Sequence, residues 1–486
     1  MRKMIIKNIG PIKELNIMLN QETIFFGDNN SGKTYASYAI YGILKYIQNM
    51  KINLIEEGEI QKFINQSGNL ILNKDELKKN FSSLIQDSVS KNLKKILAET
   101  FNISESNFND SSVMFSAYEI SDFLKNNNYG NDRKTVQMTT RSFMDDIFVT
   151  VNVEYDEESI TFDLEEVSQI SLSEFESVDT GVEKLDSKYH QEIFRMTSRM
   201  IEKIVNERLF KIPNLLYIPA ERNGINVFRN ELVRKRSNDY DISNVNDRVG
   251  KFVEKSVLYP SPISDYISYL NDMESTKRHS REPDEAAVWR YFLENIMKGK
   301  FEVSDDGKDI FYRELYSKKG SKNFKYRTQR VPFHVASSST KTLYGLDFYI
   351  ENLMECRDVL IIDEPEMNLD PQSQIRMGET LSLLAQNGVK VIISTHSDNL
   401  IKSTTNYLLR GQLMELTNGY RNVLRDEDVS CYYFKREKIL PIKSLIKEDF
   451  ISNFDDPSRI LESNYFELLD EIELLENDNS DGLKDE

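Results

Sequence analysis

Cysteine and histidine are scarce in this chain: Cys356 and Cys431 are the only thiols, and there are four histidines in 486 residues. Two cysteines cannot make a disulfide framework or a cysteine zinc site, and dispersed imidazoles leave little for a histidine-rich metal centre. Redox and zinc chemistry are therefore disfavoured. No apolar run approaches the roughly 18 to 20 residues that a membrane helix needs. The amino terminus interleaves Lys7, Lys13 and Glu14 with apolar residues, which spoils a signal-peptide core. The expectation is a cytoplasmic protein with no membrane partner. Positive charge is also short: 62 lysines and arginines face 79 acids, a net −17. Such a molecule repels a phosphate backbone unless its cations gather on one face. Proline and glycine are few, which fits a helix-bearing chain, and neither a solenoid repeat nor a long heptad run is present.

What is there is enough chain for roughly three domains' worth of core. Ile24-Phe25-Phe26 reads as a short buried strand running into Gly27-Asp28-Asn29-Asn30-Ser31-Gly32-Lys33-Thr34 and then a helix to about Ile47. Residues 51–212 change character and read as an inserted helical and β-hairpin subdomain. It has helical pieces over Lys74 to Thr100, an Asn/Ser/Asp-rich stretch from Asn102 to Asn131, and a hairpin in which Val149, Val151, Val153 and Tyr155 answer Ile160, Phe162 and Leu164. A helix with Ile193, Met196, Met200, Ile201 and Ile204 on one face closes it. Leu215 to Ile218, stopped by Pro219, reads as a central strand. A polar helical segment then runs from Asn223 to Lys298, followed by hairpins turning at Asp306-Gly307 and near Gly320. Val359 to Ile362 and Val389 to Ile393 read as the strands that finish the core. Strands alternating with helices predict an α/β fold with a mixed, mainly parallel sheet and its chemistry at the strand carboxyl ends. The division is 1–50 and 213–450 for the two parts of the head, 51–212 for the insertion, and 451–486 for an acidic helix and tail.

Gly27 to Thr34 fits G-x-x-x-x-G-K-[ST]. Its glycines let the N–H groups of Asn29, Asn30, Ser31 and Gly32 curl around phosphate oxygens, Lys33 reaches the β and γ phosphates, and Thr34 offers a hydroxyl to Mg²⁺. Asp363 and Glu364 emerge side by side from a strand, the first to hold Mg²⁺ and the second to polarise a water. Asn368-Leu369-Asp370-Pro371 follows at once, and His396 ends the next strand, positioned for a γ-phosphate role.

In this order and spacing the four elements resemble the Walker A, Walker B, D-loop and H-loop of ABC-type ATPase heads, in the branch that holds the SMC, RecF and overcoming-lysogenization-defect proteins. Ile5 to Ile12 resembles the opening strand of that branch. The resemblance covers the first 50 residues or so and most of the chain after Pro213. It implies ATP and Mg²⁺ as cofactors, with Lys33, Glu364 and His396 catalytic, Thr34 and Asp363 on the metal, and Asp370 at the nucleotide. It also implies a homodimer in which Ser337, Ser338 and Ser339 of one copy meet the nucleotide of the other. That signature departs from the family pattern, since Ala336 to Thr342 carries serine where glycine is expected; an ordinary helix N-cap is the alternative reading.

Pro219-Ala220-Glu221-Arg222, with Tyr259 to Ile263, resembles compact ATPases of bacterial antiphage operons such as PARIS, Septu and AbiL. Arg222 would reach nucleotide, support an interface, or pair with Glu221 or another acid. That likeness implies a sensor or scaffold working with a separately encoded effector such as a Toprim-like or HNH nuclease. Neither nuclease constellation is evident in this chain, where Asp426-Glu427-Asp428 reads as a turn and His190, His279 and His334 are scattered. The rivals are a RecF-like DNA-repair ATPase and a slow-turnover ATP-dependent scaffold. Arg313, Lys318, Lys319, Lys322, Lys325, Arg327 and Arg330, interleaved with Tyr316, Phe324 and Tyr326, read as either a DNA contact or a solvated hairpin face.

Overall fold

The computed structural model describes residues 3–50, 55, 57–66, 69–115, 134–141, 147–155, 158–169, 187–205, 212, 214–228, 259–273, 283–304, 309–316, 324–419, 422–436 and 438–447. The expected turns at Asp306-Gly307 and near Gly320, the middle of the 223–298 segment and the tail 451–486 lie outside the described residues.

The architecture is α/β. Strand β3 (Glu22–Gly27) is buried almost throughout, Glu22 and Thr23 included, because a strand in the middle of a parallel sheet is covered on both faces. It belongs to a six-stranded sheet ordered β16-β15-β3-β14-β13-β9, formed with β9 (Leu215–Ile218), β13 (Val359–Asp363), β14 (Lys390–Thr395), β15 (Val429–Lys435) and β16 (Lys438–Ile442). All neighbours run parallel except β16, which returns antiparallel along β15.

The sheet differs from the sequence expectation at both of its sides. Leu215 to Ile218 is an edge strand among the described residues, not a central one. It reads as central because Tyr217 is buried in one hydrophobic cluster while Leu216 and Ile218 are buried in the other, so helices cover both faces of the edge. Nor does β14 finish the core: β15 and β16 extend it on the far side of β3, where Phe434 packs on Phe25 and Tyr433 stacks on Phe26.

Helix α1 (Lys33–Asn49) leaves the end of β3 and lies over the sheet. The expected opening strand is a hairpin, β1 (Lys3–Ile9) with β2 (Ile12–Met18), turning where Asn8 and Gly10 adopt positive φ of 56° and 52°. β5 (Ser112–Phe115) adds to β1 in a second, antiparallel sheet. α3 (Lys74–Phe101) lies along α1, with Tyr35 and Tyr38 against Phe101 and a hydrogen bond of 2.8 Å between the hydroxyls of Tyr46 and Ser88. The core of the described part of 51–212 is continuous with that of the head: Val149, Val151, Val153, Ile160, Phe162 and the apolar face of α4 (Ser187–Val205) share one buried cluster with β1, β2 and α1. Within it the expected hairpin, β7 (Ile147–Tyr155) with β8 (Ser159–Gln169), is the centre of a four-stranded antiparallel sheet that includes β4 (Asn69–Asn73) and β6 (Lys134–Arg141).

Candidate nucleotide site

The carboxyl ends of β3, β13 and β14 lie side by side, so the residues that follow them gather in one place. Gly27 ends β3 at φ 130°, and a Cβ there would stand 2.1 Å from the carbonyl oxygen of Phe434 on β15. That approach lets the Asp28 N–H donate to the same oxygen at 3.0 Å. Gly32, at φ 99°, turns the chain into the first residue of α1, whose free N–H groups and dipole favour an anion. Ser31 braces the loop by donating to the Asp28 carbonyl at 2.7 Å. Asn29 and Asn30 are exposed on it, Asn30 at φ 57°. Lys33 is buried, and its ammonium donates to the carbonyls of Gly27 and Asp28 at 3.0 and 2.7 Å. Burial pushes its pKa down, opposed by the nearby Asp363 and Glu364 carboxylates.

Asp363 is the last residue of β13. Its Oδ2 accepts from Thr34 Oγ1 at 3.2 Å and from the Tyr217 hydroxyl at 3.4 Å, and its Oδ1 accepts from Ser394, its register partner on β14. Burial pushes its pKa up to about 7, with the Glu364 charge adding to the rise and the Thr34 hydrogen bond opposing it. A hydroxyl and a carboxylate brought together over a separation of 329 residues form a hard-oxygen pair suited to Mg²⁺. No group of three or more His, Cys, Asp or Glu side chains among the described residues is arranged to hold a metal. An ion on Thr34 and Asp363 would thus share its coordination with nucleotide oxygens and water.

Glu364 follows at φ 47°, a left-handed conformation that costs a non-glycine residue roughly 1–2 kcal/mol. It is held there from both sides, with its N–H donating to the Ser394 carbonyl at 2.8 Å and its own carbonyl accepting from Arg222 at 2.6 Å. His396 Nε2 lies 3.9 Å from Glu364 Oε1, and the His396 N–H donates to Glu366 at 2.7 Å. Burial and the Lys33 charge lower the imidazole pKa, so the ring is neutral near pH 7 and can serve as donor or acceptor.

Asp370 is the N-cap of α8 (Pro371–Gln386), accepting from the N–H groups of Gln372 and Ser373 at 3.0 and 3.1 Å. Ser337 likewise caps α7 (Ser338–Phe348), accepting from the Thr340 N–H at 3.1 Å, with hydrogen bonds to the hydroxyls of Ser339 and Thr340. Thus Lys33, Thr34, Asp363, Glu364 and His396 converge directly, whereas Asp370 and Ser337 are engaged in helix capping. Among the described residues, the hydrogen bonds of the Arg222 side chain go not to Glu221 or another acid but to main-chain carbonyls, at Pro219, Asp363 and Glu364. Ser394, Tyr217 and Glu366 join the site without having been assigned to it by sequence. The register that sets Ile218 beside Ile362 and Asp363 beside Ser394 is what brings their neighbourhood to the site.

The basic stretch runs along β10 (Gly299–Val303), β11 (Ile310–Glu314) and β12 (Val331–Pro332), where its arginines pair with neighbouring acids. Lys300, Arg313 and Arg330 converge on Glu302 at 2.8, 3.0 and 3.2 Å, and Arg327 pairs with Glu314 at 2.8 Å. Lys318, Lys319 and Lys322 lie outside the described residues.

Residues 1–401 match the family model described as AAA ATPase domain. No curated protein matches. Among solved structures the chain is similar to an SMC head bound to the C-winged helix domain of ScpA, at 11% identity, covering 92% of this chain and 98% of that one with a TM-score of 0.31. It is also similar to the Pyrococcus furiosus Smc head with an extended coiled coil, at 12% identity, 96% and 99% coverage and a TM-score of 0.29. The third is the Thermotoga maritima SMC head domain, at 10% identity, 91% and 98% coverage and a TM-score of 0.27. No described helix is long and apolar enough to cross a membrane.

Proposed function

The chain belongs to the AAA ATPase domain family, and from that premise we propose that it binds Mg²⁺ and ATP at the Gly27–Thr34 loop and hydrolyses the γ-phosphate. The observation that carries this reading is the hydrogen bond between Thr34 and Asp363, beside the buried Lys33 ammonium. Lys33 counters phosphate charge, Glu364 orients the attacking water, and neutral His396 completes the wall facing the γ-phosphate. Magnesium, once bound, supplies charge neutralisation at the phosphate oxygens.

The further reading is a homodimer closed over nucleotide, with Ser337 to Ser339 of each copy turned toward the other's site. In it, this ATPase serves as the sensor or scaffold of an antiphage system whose nuclease is a separate chain. A DNA-repair role is weaker, because the described arginines of the basic hairpin pair with Glu302 and Glu314. A slow-turnover scaffold is favoured by one observation, the use of the signature serine as an intrahelical cap.

Calorimetric titration of the parent and of Lys33→Ala with Mg·ATP tests the nucleotide site. Removing a cation from a poorly solvated site is expected to weaken binding on the order of a hundredfold. Equal affinities would sink the assignment.

A further inference from the structure

Beyond Pro219 the chain enters a helical segment, 222–228, and two of its fully buried side chains reach two different parts of the site. Arg222, 2% exposed, sends Nη1 to the carbonyls of Pro219 and Asp363 at 3.1 and 2.7 Å and Nη2 to the carbonyl of Glu364 at 2.6 Å. The guanidinium fork thus grips the main chain on which Glu364 holds its left-handed conformation. One helical turn later Asn226, 1% exposed, donates to the carbonyl of Lys341 in the first turn of α7 at 2.8 Å. The Tyr266 hydroxyl fixes the Asn226 amide by donating to its Oδ1 at 2.9 Å.

Resting on the ATPase reading above, we propose that segment 222–228 is a strut between the hydrolytic carboxylate and the serine-rich start of α7. Arg222 positions Glu364 through its main chain, and Asn226 sets α7 on the same rigid turn. Engagement of Ser337 to Ser339 by the nucleotide of a second copy would therefore be felt at Glu364 without any contact between the two. The acceptors are carbonyls, so neither link depends on which side chains the site exposes. The spacing of Arg222 and Asn226, four residues apart on one helical face, is what lets one segment serve both ends.

The test uses the full chain, with single-turnover hydrolysis and ATP affinity measured side by side. Arg222→Lys keeps the charge but replaces the fork by a point donor that cannot span both carbonyls. The rate is expected to fall about tenfold or more while ATP affinity stays within about threefold, since misplacing a reacting group costs rate rather than binding. In a Glu364→Gln background the same change should add less than about twofold, because the carboxylate being positioned is already gone. Asn226→Ala, with Arg222 intact, should lower the rate about threefold and be equally silent in that background. It carries the test if a melting curve shows Arg222→Lys unfolded. Parental rates in both variants, or losses that multiply with Glu364→Gln as a general structural defect would, overturn the strut. A parent that neither binds nor hydrolyses ATP would instead overturn the ATPase reading beneath it.

Discussion

Asp358, just before β13, and Asp363, its last residue, are buried aspartates at opposite ends of one strand, and the chain treats them differently. Asp358 accepts from four donors: the N–H and side-chain amide of Asn214, both at 3.0 Å, and the Glu355 N–H and Tyr349 hydroxyl, both at 2.8 Å. The hydrogen bonds of the Asp363 carboxylate among the described residues come from hydroxyls, those of Thr34, Tyr217 and Ser394. Burial raises both acids, Asp358 to about 8 and Asp363 to about 7, so the shift by itself does not mark the functional one. The partners do. An amide N–H can only donate and locks its carboxylate in place, whereas a hydroxyl can turn its proton away and offer a lone pair to a cation. At the amino end three of the four donors to Asp358 are N–H groups that cannot re-aim, whereas the donors at the carboxyl end are hydroxyls that can.

The largest effect that follows belongs to the carboxyl end. Glu364→Gln keeps the shape of the side chain and loses its ability to orient or deprotonate water, so phosphate release should slow on the order of 10²- to 10³-fold. Mg·ATP affinity should hold within a few-fold. A parental rate in a steady-state phosphate assay would remove Glu364 from the chemistry and erase the contrast between the two ends.

Next in size is a pH effect at the amino end, where Glu22 begins β3 fully buried. Its Oε2 accepts from Ser382 at 3.0 Å. Burial raises its pKa from 4.5 to about 8, against the Ser382 and Thr404 hydrogen bonds. Between those values the folded chain holds a proton that the unfolded chain has released, so stability falls as pH rises from about 4.5 and levels off above about 8. The slope from this group approaches about 1.4 kcal/mol per pH unit inside that window. Glu22→Gln should remove that slope, gaining on the parent in urea melts as pH goes from 5.5 to 8. Parallel curves would mean that Glu22 is ionised in the fold. Smaller again, Asp358→Asn turns an amide NH₂ toward fixed N–H donors and should cost about 1–3 kcal/mol of stability. ATP affinity should be unchanged; a loss of binding would join the two ends into one site.

The carboxyl end was legible in sequence because its chemistry is written locally: glycines, Lys33 and Thr34 fall in one loop, and Asp363-Glu364 follows an unbroken apolar strand. Much of the rest depends on register. Leu215 to Ile218 looks the same whether it is paired on one side or two. β15 alternates Ser430, Cys431, Tyr432 and Tyr433 without a clean apolar run, so its place against β3 is set by Gly27 and Phe434 meeting across the fold. Arg222 was visible as a residue after a strand, but its acceptors are carbonyls, which every residue carries and no side-chain pattern can encode. The four-stranded sheet around β7 was half visible, since alternation marks the central hairpin and says little about which short strands join its edges.

The smallest expected effect concerns the hairpin whose cations invited a nucleic-acid reading. Arg327 and Glu314 pair at 2.8 Å with side chains 61% and 54% exposed, in water that already solvates both charges. Such a pair gains little over its separated ions and loses side-chain freedom, so Arg327→Ala should change stability by less than about 0.5 kcal/mol. It should also leave DNA retention in a low-salt mobility assay where the parent's is. An arginine that contacts phosphate contributes about one released counterion to the salt dependence of binding. If the parent binds DNA and Arg327→Ala flattens that salt dependence by about one, the Glu314 pair is broken on binding. The hairpin would then resemble the carboxyl end of β13, with its charges held in reserve for a ligand.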